Sequence, residues 1–163
     1  MKGYKMSRTS DKELQYIREH KNIIDWEYVS SRKELPEEFI REFEHRVNWD
    51  CISEHQKLSE DFIREFQDRL DWFYISKYQD LSEDFIRELQ NEVEWFCISQ
   101  YQRLSEEFIR EFKNKVNWVS ISINQKLSEE FIREFKEKVD WYFISEYQHL
   151  SKEFRREFQD RLC

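Results

Sequence analysis

Six tryptophans, Trp26, Trp49, Trp72, Trp95, Trp118 and Trp141, fall 23 residues apart, and an Arg-Glu pair, a serine and a glutamine recur with them. A tryptophan row can stack nucleobases, an arginine row can hold an anion, and a serine beside a histidine can act as a nucleophile. Catalysis needs a unique constellation, however, and groups copied at one position of every repeat build a lattice instead. The four histidines, His20, His45, His55 and His149, stand at four different positions of the repeat, so no two face each other as metal ligands. Cys51 and Cys97 share a position two repeats apart, about 20 Å if repeats stack at the usual helix spacing, which is too far for a disulfide. Cys163 is terminal and expected to be exposed, so that any dimer through it would be an oxidation artefact. No glycine-rich phosphate loop and no HExxH run is present. These residues predict a protein that is not an enzyme and uses no metal and no cofactor.

The elements that position these residues come from the repeat. Units begin at Leu35, Leu58, Leu81, Leu104, Leu127 and Leu150, and a divergent copy runs from Lys12 to Glu34. The consensus is L-S-E-E/D-F-I-R-E-F-x-x-x-V/L-D/N-W-x-x-I-S-x-Y-Q-x, numbered here 1 to 23. Serine at position 2, followed by two acidic residues, is a helix N-terminus, where a hydroxyl caps free N–H groups and carboxylates meet the positive dipole end. Pro36 takes the place of that serine once, a position proline tolerates. Apolar residues at 1, 5, 6, 9 and 13 make one face of this first helix, helix A. Asp25, Asn48, Asp71, Asn117 and Asp140 at position 14 predict a second cap, with Glu94 the exception. The second helix, helix B, runs from the tryptophan at 15 to the glutamine at 22, with positions 15, 18 and 21 expected on one buried face. Helices this short are unstable alone in water, so repeats must lean on one another. The fold class predicted is all-α, an α-solenoid of seven two-helix repeats: 12–34, 35–57, 58–80, 81–103, 104–126, 127–149 and a truncated 150–163, after an N-terminal extension at 1–11. Ser10 and Glu13 make a capping box at the start, and Arg155 replaces isoleucine at the end, as suits an outer face.

Composition agrees. A chain of 163 residues with one glycine and one proline has little capacity for sharp turns, and 17% aromatic content argues against disorder. No apolar run approaches a membrane span, and "MKGYKMSRTS" lacks the apolar stretch of a signal peptide, so an intracellular, cytoplasmic monomer is expected. Words such as "LSEEFIREF" and "DWYFISEYQ", spread over residues 12–163, resemble the short tandem helical-repeat proteins of large DNA viruses and phages. That resemblance implies an inhibitor or adaptor acting on a host protein.

The recurring polar words read as scaffold. Glutamate at 3 and arginine at 7 form an exposed pair four residues apart on helix A. Serine 19 and glutamine 22 of the repeat are expected to bond backbone at the turn from helix B to helix A, and the tryptophans are expected in the core. Function then lies where repeats differ. Positions 16 and 20 point away from the 15–18–21 face, and position 16 becomes apolar from the third repeat onward. An exposed stripe about 30 Å long is predicted, with Phe73, Lys77, Phe96, Gln100, Val119, Ile123, Tyr142 and Glu146 as the partner-binding residues. The alternative site is an acidic face. Residues 35–103 hold 17 acidic and 8 basic side chains, a net of −9. Direct nucleic-acid binding is therefore unfavourable, whereas a basic protein partner would be attracted. In that reading Glu38, Glu42, Asp61, Glu65, Asp84 and Glu88 mimic a nucleic acid in a basic groove. A third reading is a structural scaffold without a specific partner.

Overall fold

The computed structural model describes residues 9–32 and 34–162. Most of the expected 1–11 extension, and Cys163, lie outside them. The chain is all-helical, an α-solenoid of tandem helix pairs, with thirteen helices among the described residues. It divides into two compact units, Met1–Gln79 and Asp80–Cys163. In the first unit the A helices are α1 (Asp11–Glu19), α3 (Glu37–Glu42) and α5 (Glu60–Glu65), and the B helices are α2 (Trp26–Arg32), α4 (Trp49–His55) and α6 (Trp72–Tyr78). In the second unit the A helices are α7 (Glu83–Glu88), α9 (Glu106–Glu111), α11 (Glu129–Glu134) and α13 (Lys152–Glu157). Its B helices are α8 (Trp95–Tyr101), α10 (Trp118–Asn124) and α12 (Trp141–Tyr147). Within each unit the B helices pack side by side, α2 on α4 on α6 and α8 on α10 on α12.

Both kinds of N-terminus are capped as their residues dictate. The hydroxyls of Ser59, Ser82, Ser105, Ser128 and Ser151 accept from the N–H three residues on, and Ser10 with Glu13 forms the full capping box. At the B helices Asp25, Asn48, Asp71, Asn117 and Asp140 accept from first-turn N–H groups, while Glu94 makes no such bond.

Helix A is shorter than its apolar arc suggests. Only positions 3–8 are α-helical from the second repeat on; the residue at 9 is the C-cap, with φ near −103 to −116°, and a further hydrogen-bonded turn carries the chain to position 13, as in Val116 N–H to Phe112 O at 3.0 Å. No described residue has a positive φ, so the turn needs no glycine. Its purpose is visible at position 10, whose carbonyl is freed from the helix. The indole N–H of the same repeat's tryptophan donates to it, as Trp49 does to Glu44 O at 3.0 Å, and so does a cation at position 12 of the next repeat, as Arg69 Nη1 does to that same oxygen at 3.0 Å.

Helix B also turns differently from expectation. Its inward edge is 15, 18, 19 and 22: Ile52, Ile75, Ile98, Ile121 and Ile144 are fully buried, as are Ser30, Ser53, Ser76, Ser99 and Ser122, and all the position-22 glutamines are buried. At 100° per residue, position 21 falls outside that edge, and Tyr78, Tyr101 and Tyr147 are exposed rather than packed with isoleucine. The tryptophans are half-buried. Trp49, Trp95, Trp118 and Trp141 lie against the phenylalanines of the following helix A, as Trp118 does with Phe135 at 4.9 Å and Phe131 at 6.2 Å between centroids, and a position-12 cation covers each of these rings, as Lys138 does at 5.8 Å.

The buried glutamine joins repeats. Gln125 donates to Ser99 O at 3.0 Å and Gln102 O at 2.8 Å, and its oxygen accepts from Leu104 N–H at 3.1 Å. Gln56 and Gln148 make the same kind of contact. The turn from helix B to helix A is thus held as predicted for glutamine. The serine at 19 acts elsewhere: Ser99 donates to Trp95 O at 2.6 Å and accepts from Asn117 N–H at 2.9 Å, fastening the next repeat's B-helix cap.

The arginine ladder likewise runs between repeats. Arg110 sits 3.7 Å from Glu106 on its own helix but 2.7 Å from Glu134 of the next, with its guanidinium 5.0 Å from the centre of the Phe131 ring. Glutamate at 3 instead receives the next repeat's cap N–H, as Glu129 does from Ser151 at 2.6 Å. That N–H, together with the Ser151 hydroxyl and the Arg133 charge, holds the Glu129 carboxyl below its ordinary value.

Two outcomes follow from these contacts. Gln125→Ala strips a half-buried N–H and two buried carbonyls of their partner and should cost about 2 kcal/mol or more in urea unfolding, whereas Glu134→Gln, at the exposed ladder, should cost less than about 1 kcal/mol. Because Glu129 titrates lower when folded, its contribution is complete above the normal carboxylate range and is lost as pH falls through its lowered value. The stability gap between wild type and Glu129→Gln should therefore be largest at neutral pH and close as pH drops from about 5 to about 3, read by unfolding midpoints.

Candidate protein-binding surface

On a B helix whose 15, 18, 19 and 22 positions face inward, 16 and 21 face out from the third repeat on, 20 is exposed or half-buried, and 17 is buried in Cys97 and Ser120 and half-buried in Cys51, Tyr74 and Phe143. In the first unit this surface presents Phe73, 46% exposed, with half-buried Lys77 5.4 Å from the centre of its ring. Tyr74 lies edge-on to Phe73 at 5.5 Å and parallel to exposed Tyr78 at 6.2 Å. In the second unit the packed helices α8, α10 and α12 bring Phe96, Val119 and Tyr142 together, exposed by 54%, 45% and 57%. Gln100 and Ile123 are half-buried and Glu146 is exposed. Tyr142 meets Phe143 edge-on at 5.2 Å, and Phe143 continues toward Tyr147 at 6.1 Å.

The surface is therefore broader than positions 16 and 20 alone. Tyr101 and Tyr147 at position 21 extend it, and sequence reasoning had placed them in the core. The missed signal was the polar pair at 19 and 22: a buried serine and glutamine move the inward edge of helix B away from 21. Such side chains offer apolar area together with phenolic hydroxyls, the combination that protein interfaces favour.

The acidic candidates are less free. Glu42 is bidentate to Arg18 at 2.8 Å, Glu65 pairs with Arg41 at 2.7 Å, and Asp61 and Asp84 pair with Arg64 and Arg87 at 2.9 Å. Glu38 and Glu88 are exposed. Hydrogen bonds donated to Glu111 and Glu134 raise the pKa of Arg87 and Arg110 in turn, so these guanidiniums are held by carboxylates rather than turned toward an outside anion.

Among the described residues no group of three or more His, Cys, Asp and Glu side chains could hold a metal ion, and no helix is long and apolar enough to cross a membrane. Neither Cys51 nor Cys97 is in a disulfide. The chain matches no family model, no curated protein and no solved structure.

If the surface is free of any role in the core, Phe96→Ser and Tyr142→Ser should each change unfolding free energy by less than about 1 kcal/mol, while Phe108→Ala, removing a fully buried ring, should cost about 3 to 5 kcal/mol. Equal losses from both groups would place the surface residues in the packing instead.

Proposed function

We propose that this chain is a non-enzymatic protein-binding repeat module that engages its partner through the outward faces of its B helices. One observation carries the reading. The same seven-residue helix that buries Ile98, Ile121 or Ile144 completely leaves Phe96, Val119 or Tyr142 about half exposed on its other side. Singly exposed apolar residues need no explanation, but a contiguous row rimmed by charge marks an interaction site. The arginine, serine and glutamine that recur at positions 7, 19 and 22 are engaged in contacts between repeats, whereas the residues at position 16 vary from copy to copy. In the version that the resemblance to viral and phage repeat proteins supports, the module is an intracellular inhibitor or adaptor acting on a host protein.

The test is affinity capture from lysate with wild type and with the triple variant Phe73→Ser, Phe96→Ser, Tyr142→Ser, each washed at low and high salt. The expected result is a specific protein that wild type retains through the high-salt wash and the variant loses. A partner kept by the variant and stripped by salt would overturn the reading in favour of the acidic decoy, because exposed charge pairs are screened within about 8 Å at physiological salt while apolar contacts are not.

A further inference from the structure

The first repeat presents an edge that every later junction described within the two units shows filled. At those five junctions the preceding repeat supplies two groups. Its tryptophan packs on the phenylalanine at position 9, as Trp26 does on Phe43, and at four of the five junctions on the one at position 5 as well, as Trp49 does on Phe66 and Phe62. Its arginine pairs with the glutamate at position 8 and lies over the ring at position 5, as Arg41 does with Glu65 and Phe62. Under this cover Phe39, Phe62, Phe108, Phe131 and Phe154 are at most 1% exposed.

In the repeat 12–34 the corresponding residues are Tyr16, His20, Glu19 and, at position 12, Ile23. Tyr16 and His20 are stacked at 4.0 Å, so the aromatic pair is already formed. Yet Tyr16 is 57% exposed and Ile23 is 81% exposed. Beside them a cleft of about 400 Å³ opens between α1 and α2, lined by Tyr16, Ile17, Ile24, Tyr28, Val29 and Leu35. This is the place a preceding B helix would take. The repeat 150–163 carries exposed Arg155 at position 6, where the repeats before it bury isoleucine. The first repeat instead exposes Tyr16 and Ile23.

We propose that this edge is a docking site for a second polypeptide bearing the same kind of repeat, received as a preceding repeat would be. The partner chemistry is specific: a helix pair with an arginine eight residues before a tryptophan, the indole seated on Tyr16 and His20 against Ile23, and the guanidinium on Glu19. Among the described residues Glu19 takes a bond from Gln15 at 2.9 Å, on its own helix. The surface is distinct from the B-helix faces, so occupation of one leaves the other available.

The probe is a fluorescein-labelled copy of the chain ending at His149, in which the repeat 127–149, with Arg133 and Trp141 at that spacing, is supported by the repeats before it and left without a following one, titrated by anisotropy into the full chain. Saturable binding is expected, weakened at least about tenfold by Trp141→Ala in the probe. Glu19→Lys in the chain should weaken it about fivefold, and Arg133→Glu in the probe should restore it. Tyr16→Ser should weaken it as well; both chain substitutions are at solvent-facing side chains, and an unchanged thermal melt verifies their folding. No saturation below about 1 mM, or binding indifferent to both Tyr16→Ser and Glu19→Lys, overturns the proposal. So does binding that appears only after Tyr4→Ser and Met6→Ser, which would make residues 1–8 of the chain itself the occupant.

Discussion

Helices of six and seven residues do not persist by themselves in water, and what stands in for length in this chain is the buried amide of one glutamine per repeat. Its nitrogen reaches carbonyls 23 and 26 residues back, at the end of the preceding repeat's helix B, and its oxygen takes the N–H 21 residues back that leads into helix A of its own repeat. Those backbone groups are the ones helix ends leave unpaired. A single side chain therefore completes the hydrogen bonding of two short helices and the connection between them. Apolar burial by phenylalanine and isoleucine supplies the driving force, but it is non-directional; the amide sets the register in which the rings meet.

The second constraint is division of labour within helix B. With positions 15, 18, 19 and 22 committed to the interior, the outward positions 16 and 20 differ from copy to copy: from the third repeat on, phenylalanine, valine or tyrosine at 16, and lysine, glutamine, isoleucine or glutamate at 20. Helix A has less of that freedom, because its half-buried arginine and its glutamates at positions 3 and 8 are tied to neighbouring repeats. A protein-binding reading follows from this asymmetry more than from any individual aromatic.

Local chemistry was legible in the sequence and long-range chemistry was not. The Ser59 and Asp71 caps act on N–H groups two or three residues away, so composition and spacing reveal them. The wrong buried face for helix B, with Tyr101 inside, came from counting only apolar residues; Ser99 and Gln102 are buried because their polar atoms find backbone partners in neighbouring repeats, a fact no helical wheel contains. The cations at position 12 were overlooked because basic residues in a turn look solvated. Their signal was correlation: Arg46, Arg69, Lys115, Lys138 and Arg161 recur in step with the preceding tryptophan, and Glu92 alone departs. In the same way the arginine ladder was read within one helix, where the charges are four residues apart, although its shorter contacts are those 24 residues apart.

The hydrogen bonds that stitch repeats together span 18 to 26 residues. Each junction within a unit is thus complete once the following repeat exists, and no strand pairing or distant segment is awaited. Contacts this local correspond to fast folding, and during synthesis the chain can consolidate behind the ribosome one repeat at a time, so that at any moment the newest helix pair is the main aggregation-prone surface on show.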